Sequence, residues 1–179
     1  MNIWFCSDLH IDHKSIAKYR EFVTSPQHNT EIIVEDWKSK VAKCDHVYCL
    51  GDVSFTTAGL DLIGTLPGFK RLIRGNHDAC QLNQYVKVFH DVCGILSYKG
   101  MWLSHAPIHP DELRGKHNVH GHVHYASLSD DRYFNCCVEN IQALGKGVLI
   151  SLEDIREVFS QRFPKPSTSL TDHVATIDG

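Results

Sequence analysis

No stretch of this chain is long and apolar enough to cross a bilayer. Met1-Asn2-Ile3-Trp4-Phe5-Cys6 also lacks the basic leader and apolar segment of a signal peptide, so a cytoplasmic protein is expected. Nor is there an excess of positive charge: 18 Lys and Arg against 21 Asp and Glu leave a formal net charge of −3. That argues against an extended nucleic-acid surface, though not against a small nucleotide in a pocket. The seven cysteines are odd in number and show no Cys-x-x-Cys spacing, so they read as buried free thiols rather than a disulfide framework. No repeat and no internal boundary interrupt the 179 residues. One domain is expected over residues 1–163, followed by a loosely ordered Pro-, Ser- and Thr-rich tail over 164–179.

What the chain has in excess is histidine, 13 in all. Histidine is the commonest side-chain metal ligand, which directs attention to ligand spacing. The centre of the pattern is Arg74-Gly75-Asn76-His77-Asp78, which follows the apolar run Arg71-Leu72-Ile73. An apolar strand therefore ends on a glycine turn carrying an amide, an imidazole and a carboxylate.

Other apolar runs end the same way. Ile3 to Cys6 leads to Ser7-Asp8-Leu9-His10, where an extended segment would aim Asp8 and His10 at one spot. His46 to Leu50 leads to Gly51-Asp52. Asp12 is placed to cap a helix through Ser15, Ile16, Tyr19 and Phe22, with His13 at its start. Ser25 to Asn29 reads as a loop, and Asn29 or Thr30 opens a helix with Ile33, Trp37 and Val41 on one face. Thr57 to Leu66 reads as another helix, ended by Pro67-Gly68. Strands alternating with helices imply a largely parallel sheet, which gathers Asp8, Asp52 and Asn76 at adjacent carboxyl ends.

Beyond Gln81 the pattern turns to strands. Val86 to Tyr98 and Met101 to Ser104 are β-like runs joined at Lys99-Gly100. The second ends at Ser104-His105, and Asn118-Val119-His120-Gly121-His122-Val123-His124 follows. Arg132 to Val138 resembles a further strand, and Ser151 with Asp154 a capping box for a helix with Ile155, Val158 and Phe159.

Asp8-x-His10, Gly51-Asp52, Gly75-Asn76-His77-Asp78, Ser104-His105 and Gly121-His122-x-His124 occur in the order of the five motifs of the calcineurin-like metallophosphoesterases, which the chain resembles over about residues 1–150. The resemblance implies an α/β fold, a four-layer αββα sandwich of two mixed β-sheets flanked by helices. It implies two divalent ions, manganese foremost, with iron, zinc or nickel as alternatives. Asp8, His10 and His124 would hold one ion, Asn76, His105 and His122 the other, and Asp52 would bridge them. Carboxylate, amide and imidazole donors suit such ions, and no thiolate belongs to the set.

The implied reaction is hydrolysis of a phosphodiester or small phosphorylated nucleotide by water activated between the ions. His77 would protonate the leaving oxygen and Asp78 would orient its imidazole. His13, Arg74 and His109 are candidate substrate contacts. The alternatives are a phosphomonoesterase on the same centre and a non-catalytic binding scaffold on the same fold. Neither a cap nor an accessory domain is expected within these 179 residues.

Overall fold

The computed structural model describes residues 1–164, so the tail expected over 164–179 lies, past its first residue, outside the described residues. Four short strands, β1 (Ile3–Cys6), β2 (His46–Cys49), β3 (Phe69–Ile73) and β4 (Asp91–Cys93), pair in parallel in the order β4-β3-β2-β1. A two-residue strand, β9 (Ile150–Ser151), closes the β1 edge antiparallel, making the sheet mixed. Alternation along these strands yields two apolar faces. Cys6, Val47, Cys49 and Leu72 point to one, and Phe5, Tyr48 and Ile73 to the other.

The first face is covered by α1 (Pro26–Lys40), α2 (Thr57–Thr65) and α3 (Leu82–Val88), through Ile33, Trp37, Leu60, Ile63 and Tyr85. The second packs on a four-stranded sheet of β5 (Ile95–Tyr98), β6 (Met101–Ser104), β7 (His117–His120) and β8 (Tyr133–Asn135). That sheet is also mixed: β5 and β6 form the hairpin at Lys99-Gly100, while β6, β7 and β8 are parallel. Segment 104–116 covers its outer face and includes a 3-10 turn at Pro110–Leu113. The Trp102 indole donates to the Leu113 carbonyl (3.3 Å) and the Tyr133 hydroxyl to that of Ile108 (2.7 Å). Helices α4 (Val138–Ala143) and α5 (Leu152–Arg162) complete the flanks, α5 starting from the Ser151–Asp154 capping box. The chain thus adopts the sandwich of two mixed sheets flanked by helices that the resemblance implied. Among the described residues no helix is long and apolar enough to cross a membrane.

Several local expectations are corrected. The helix expected from Asp12 is a single 3-10 turn, Ile16–Lys18. Asp12 has a left-handed backbone (φ 64°) and its carboxylate accepts from the Thr56 hydroxyl instead of capping. Helix α1 starts at Pro26, before Asn29, because Ser25 caps the His28 N–H (3.0 Å) and proline suits a first helical turn. The run expected as β from Val86 begins inside α3, whose Tyr85 anchors it in the core. Arg132 to Val138 holds only a three-residue strand, and Val138 already opens α4. All seven cysteines are free; Cys6, Cys49, Cys136 and Cys137 are buried, Cys80 and Cys93 half-buried, and Cys44 is exposed.

Candidate metal centre

The parallel order β3-β2-β1 sets the carboxyl ends of three strands side by side, and the ends of β6 and β7 meet them from the second sheet. The loops after β1 and β2 continue as a pair. The Asp8 N–H donates to the Gly51 carbonyl (3.0 Å), His10 N–H to Asp52 (3.0 Å) and Ile11 N–H to Val53 (3.1 Å). Glycines allow the close approach: a Cβ on Gly75 would run into the Asp52 carboxylate, and one on Gly121 into Ser7 and Asp8.

The backbone itself marks the place. Asp8 (φ 57°), His10 (49°), Asp52 (54°), His122 (72°) and His124 (50°) are all left-handed. Non-glycine residues in that region cost on the order of 1–3 kcal/mol each and persist where the surroundings hold them, often at functional sites. The convergence of Asp8 with His10 therefore does not come from extended backbone, as the spacing implied, but from two left-handed residues; His122 and His124 share that conformation.

Asp8, His10, Asp52 and His105 form a buried floor. From Asp8 Oδ1, His10 Nε2 lies 3.6 Å away and His124 Nε2 3.7 Å. From Asp52 Oδ2, His105 Nε2 lies 3.4 Å away and His10 Nε2 3.9 Å. These separations suit atoms that share one ion at about 2.0–2.2 Å from each. Two sets of donor atoms result, Asp8–His10–His124 and Asp8–Asp52–His105. Asn76 joins through its side-chain oxygen, 2.8 Å from His105 Nε2 and 3.0 Å from His122 Nδ1.

Each carboxylate is half engaged and half open. Asp8 Oδ2 accepts from the Ser7 hydroxyl (2.6 Å), the His122 N–H (2.8 Å) and the Cys137 thiol (3.1 Å), which burial keeps protonated. Its other oxygen is buried without a hydrogen-bond partner among the described residues, as are both ring nitrogens of His10. Such orphans are costly, and a cation would satisfy them together. Asp52 Oδ1 accepts from the His77 N–H (2.8 Å), leaving Oδ2 toward the two imidazoles. The oxygen and imidazole donors thus fit divalent transition ions.

Charge coupling follows the geometry. Burial pushes the Asp8 carboxyl up, but His10, Ser7 and the His122 N–H outweigh it and hold it well below its ordinary value. Asp52 is likewise lowered against its burial, chiefly by His105. His105 is raised despite burial because it faces Asp52 and Asp8. Its Nδ1 lies 2.8 Å from the Leu50 carbonyl, a contact that leaves the Nε2 lone pair facing Asp52 Oδ2 and Asn76 Oδ1 when the ring is neutral.

The remaining expected residues divide. His77 is exposed at the rim, its ring centroid 5.7 Å from that of His10. His13 sits beside both, its imidazole lowered mainly by burial. Asp78 does not orient His77. Its carboxylate is buried and accepts from the N–H groups of Gly75 (2.8 Å), Asp52 (3.0 Å) and Val53 (3.0 Å), tying two ligand loops together. Arg74 turns back on its own loop, donating to the carbonyls of Asp78 (2.8 Å) and Cys80 (3.3 Å). His109 caps the turn at Pro110 and pairs with Asp111, 72% exposed and away from the cluster.

Two buried residues escaped the sequence reading. The Glu139 carboxylate lies 3.0 Å from His124 Nδ1 and 2.7 Å from Arg20 Nε. Glu139 raises the His124 imidazole and favours the tautomer that presents Nε2 to Asp8. Arg20, fully buried, also donates to the carbonyls of Asp8 and Leu9 and to Asn29 Oδ1 (2.8 Å), so it clamps the first ligand loop. Their signal in sequence is a charged residue inside an apolar pattern, visible only once the pattern's buried face is known.

No known family description matches the chain. It is 48% identical over 82 residues to the gene 66 protein of Mycobacterium phage D29, across 43% of this chain and 40% of that protein. An uncharacterized protein of Methanocaldococcus jannaschii is 29% identical over 142 residues, 74% of this chain and 75% of that protein. Among solved structures, a protein of unknown function from Aquifex aeolicus aligns with a TM-score of 0.70 at 23% identity, covering 88% of this chain and 98% of its own. That likeness establishes a shared fold.

Proposed function

We propose that this chain is a calcineurin-like metallophosphoesterase that hydrolyses phosphodiesters or small phosphorylated nucleotides with two divalent ions, manganese foremost. The observation that carries this reading is the half-open floor. Asp8 and Asp52 each keep one oxygen fixed by the protein and turn the other toward imidazoles, and Asp8 Oδ1 and the His10 ring nitrogens have no hydrogen-bond partner among the described residues. Asp8, His10 and His124 would hold one ion, Asn76, His105 and His122 the other, with Asp52 between them. When bound, such a pair supplies Lewis acidity that acidifies water and neutralises charge on phosphoryl oxygens.

The chain's own part is positioning and proton transfer. His105 and His124 are oriented through their Nδ1 atoms by the Leu50 carbonyl and by Glu139. His77 is fixed through its backbone N–H to Asp52, while its imidazole stands at the rim, where it can deliver a proton to a leaving oxygen. Open space beside the cluster leaves room for a second ester substituent. Bis(p-nitrophenyl) phosphate is therefore expected to be cleaved faster than p-nitrophenyl phosphate at saturating manganese. A clear preference for the monoester would favour a phosphatase, and hydrolysis of neither would contradict the reading.

A further inference from the structure

Against the donor cluster lies an open cavity of about 390 Å³. That is within the range of small-molecule sites, about 300–1,000 Å³. It is lined on the cluster side by the imidazoles of His10, His77 and His124, and its remaining wall is His13, Ile16, Tyr19, Phe55 and Tyr125. Four of these five wall residues are rings, and among the described residues no Lys, Arg, Asp or Glu lines the cavity. A phosphate finds no charged partner on this wall; the wall offers flat apolar surface.

Phe55 is the central piece. Its ring centroid lies 4.8 Å from that of His13, 5.5 Å from His10 and 5.4 Å from His77. The ring nevertheless remains 41% exposed. Its position is set by the backbone, since the Phe55 N–H donates to the Ile11 carbonyl (3.0 Å) beside the Ile11–Ser54 bridge. The loop that carries Asp52 therefore carries Phe55 three residues later. Tyr19 and Tyr125, 64% and 59% exposed, extend the same surface. Contiguous exposed rings that share imidazoles with a polar cluster mark a binding surface rather than incidental exposure.

We infer that this cavity binds a planar aromatic substituent of the phosphoester, a nucleobase or aryl ring, with Phe55 as its stacking platform. Because Phe55 touches His10 and His77, a substrate can set its phosphate at the cluster and its ring on Phe55 at once. The orientation rests on the phosphoesterase reading, whereas binding of the ring does not.

The test is made by NMR on the metal-free protein. Adenosine should shift the ring resonances of Phe55, Tyr19 and Tyr125, whereas ribose at the same concentration should not. p-Nitrophenol in place of adenosine tells an aryl ring from a nucleobase, and stacking of either satisfies the inference. Phe55→Ala should weaken ring binding by about 5- to 150-fold, the factor that stacking one base on an aromatic side chain supplies, with the melting temperature little changed. Ribose or cyclohexanol binding as well as adenosine would overturn the inference, as would unchanged affinity in Phe55→Ala. With manganese present, AMP should bind more tightly than adenosine. If it gains nothing while adenosine still stacks, the phosphoesterase reading fails and the aromatic subsite stands.

Discussion

The floor and the rim of this site are built on opposite principles. Asp8, His10, Asp52 and His105 are at most 7% exposed, each held by left-handed backbone, a backbone donor or acceptor, or a neighbouring side chain. His77, Phe55, Tyr19 and Tyr125 stand in solvent, fixed mainly through the loops that bear them. The floor stores strain and unsatisfied polar atoms, which is costly in a metal-free protein. The rim stores almost none. On the proposed function this division has a reason: ions demand fixed donor geometry from the floor, whereas the rim need only present surface and a proton.

This contrast orders the expected effects of mutation. The largest is at Asp52, the carboxylate facing both imidazole sets. Asp52→Ala should bring turnover below detection and lower bound metal, read by elemental analysis; near-normal activity would erase the distinction between floor and rim.

His77→Ala should be next, and it separates proton transfer from metal binding. Metal content should stay unchanged, and an alkyl or nucleoside ester should lose on the order of 10²–10⁴-fold. A nitrophenyl ester should lose little, because nitrophenolate departs without a proton. Equal losses on both esters would mean that His77 acts otherwise. Its neighbour Asp78 behaves as part of the floor: Asp78→Ala removes the acceptor of three backbone N–H groups, two of them buried. It should cost on the order of 2–4 kcal/mol of stability, read from chemical denaturation, and affect both esters alike.

Smaller again is Glu139→Gln, which keeps the shape beside His124 Nδ1 and removes the charge. Metal affinity should fall about 10–100-fold, measured by calorimetric titration, with the chain still folded. Unchanged affinity would leave Glu139 as a partner of Arg20 alone. The smallest effect belongs to His109→Ala, outside both floor and rim, which should leave kcat/KM within about twofold.

How much of this was legible depends on whether sequence neighbours are also spatial neighbours. Asp8, Asp52 and Asn76 were placed together because apolar runs that alternate with helices become adjacent parallel strands, and their ends follow. The conformation at those ends was not legible, since positive φ is uncommon even for Asp and His, which tolerate it better than most residues, and nothing local announces it. Asp78 sits next to His77 in the chain, yet the turn sends its side chain inward to three backbone donors. His109 lies four residues past His105, but the chain has already left the site. Glu139 is the converse, 15 residues beyond His124 on a six-residue helix too short to show periodicity, and in contact with it. The aromatic wall was hidden for the same reason: Tyr19, Phe55 and Tyr125 come from three loops that only the folded sheets bring together.

The most direct measurement is a manganese titration of chelator-treated protein, with bound metal and bis(p-nitrophenyl) phosphate hydrolysis read on the same samples. The expected result is no turnover without metal, a rate that rises as two ions bind per chain, and Asp52→Ala protein that fails to take up both. Turnover in the metal-free chain, or wild-type protein that binds no more manganese than Asp52→Ala, would contradict the account.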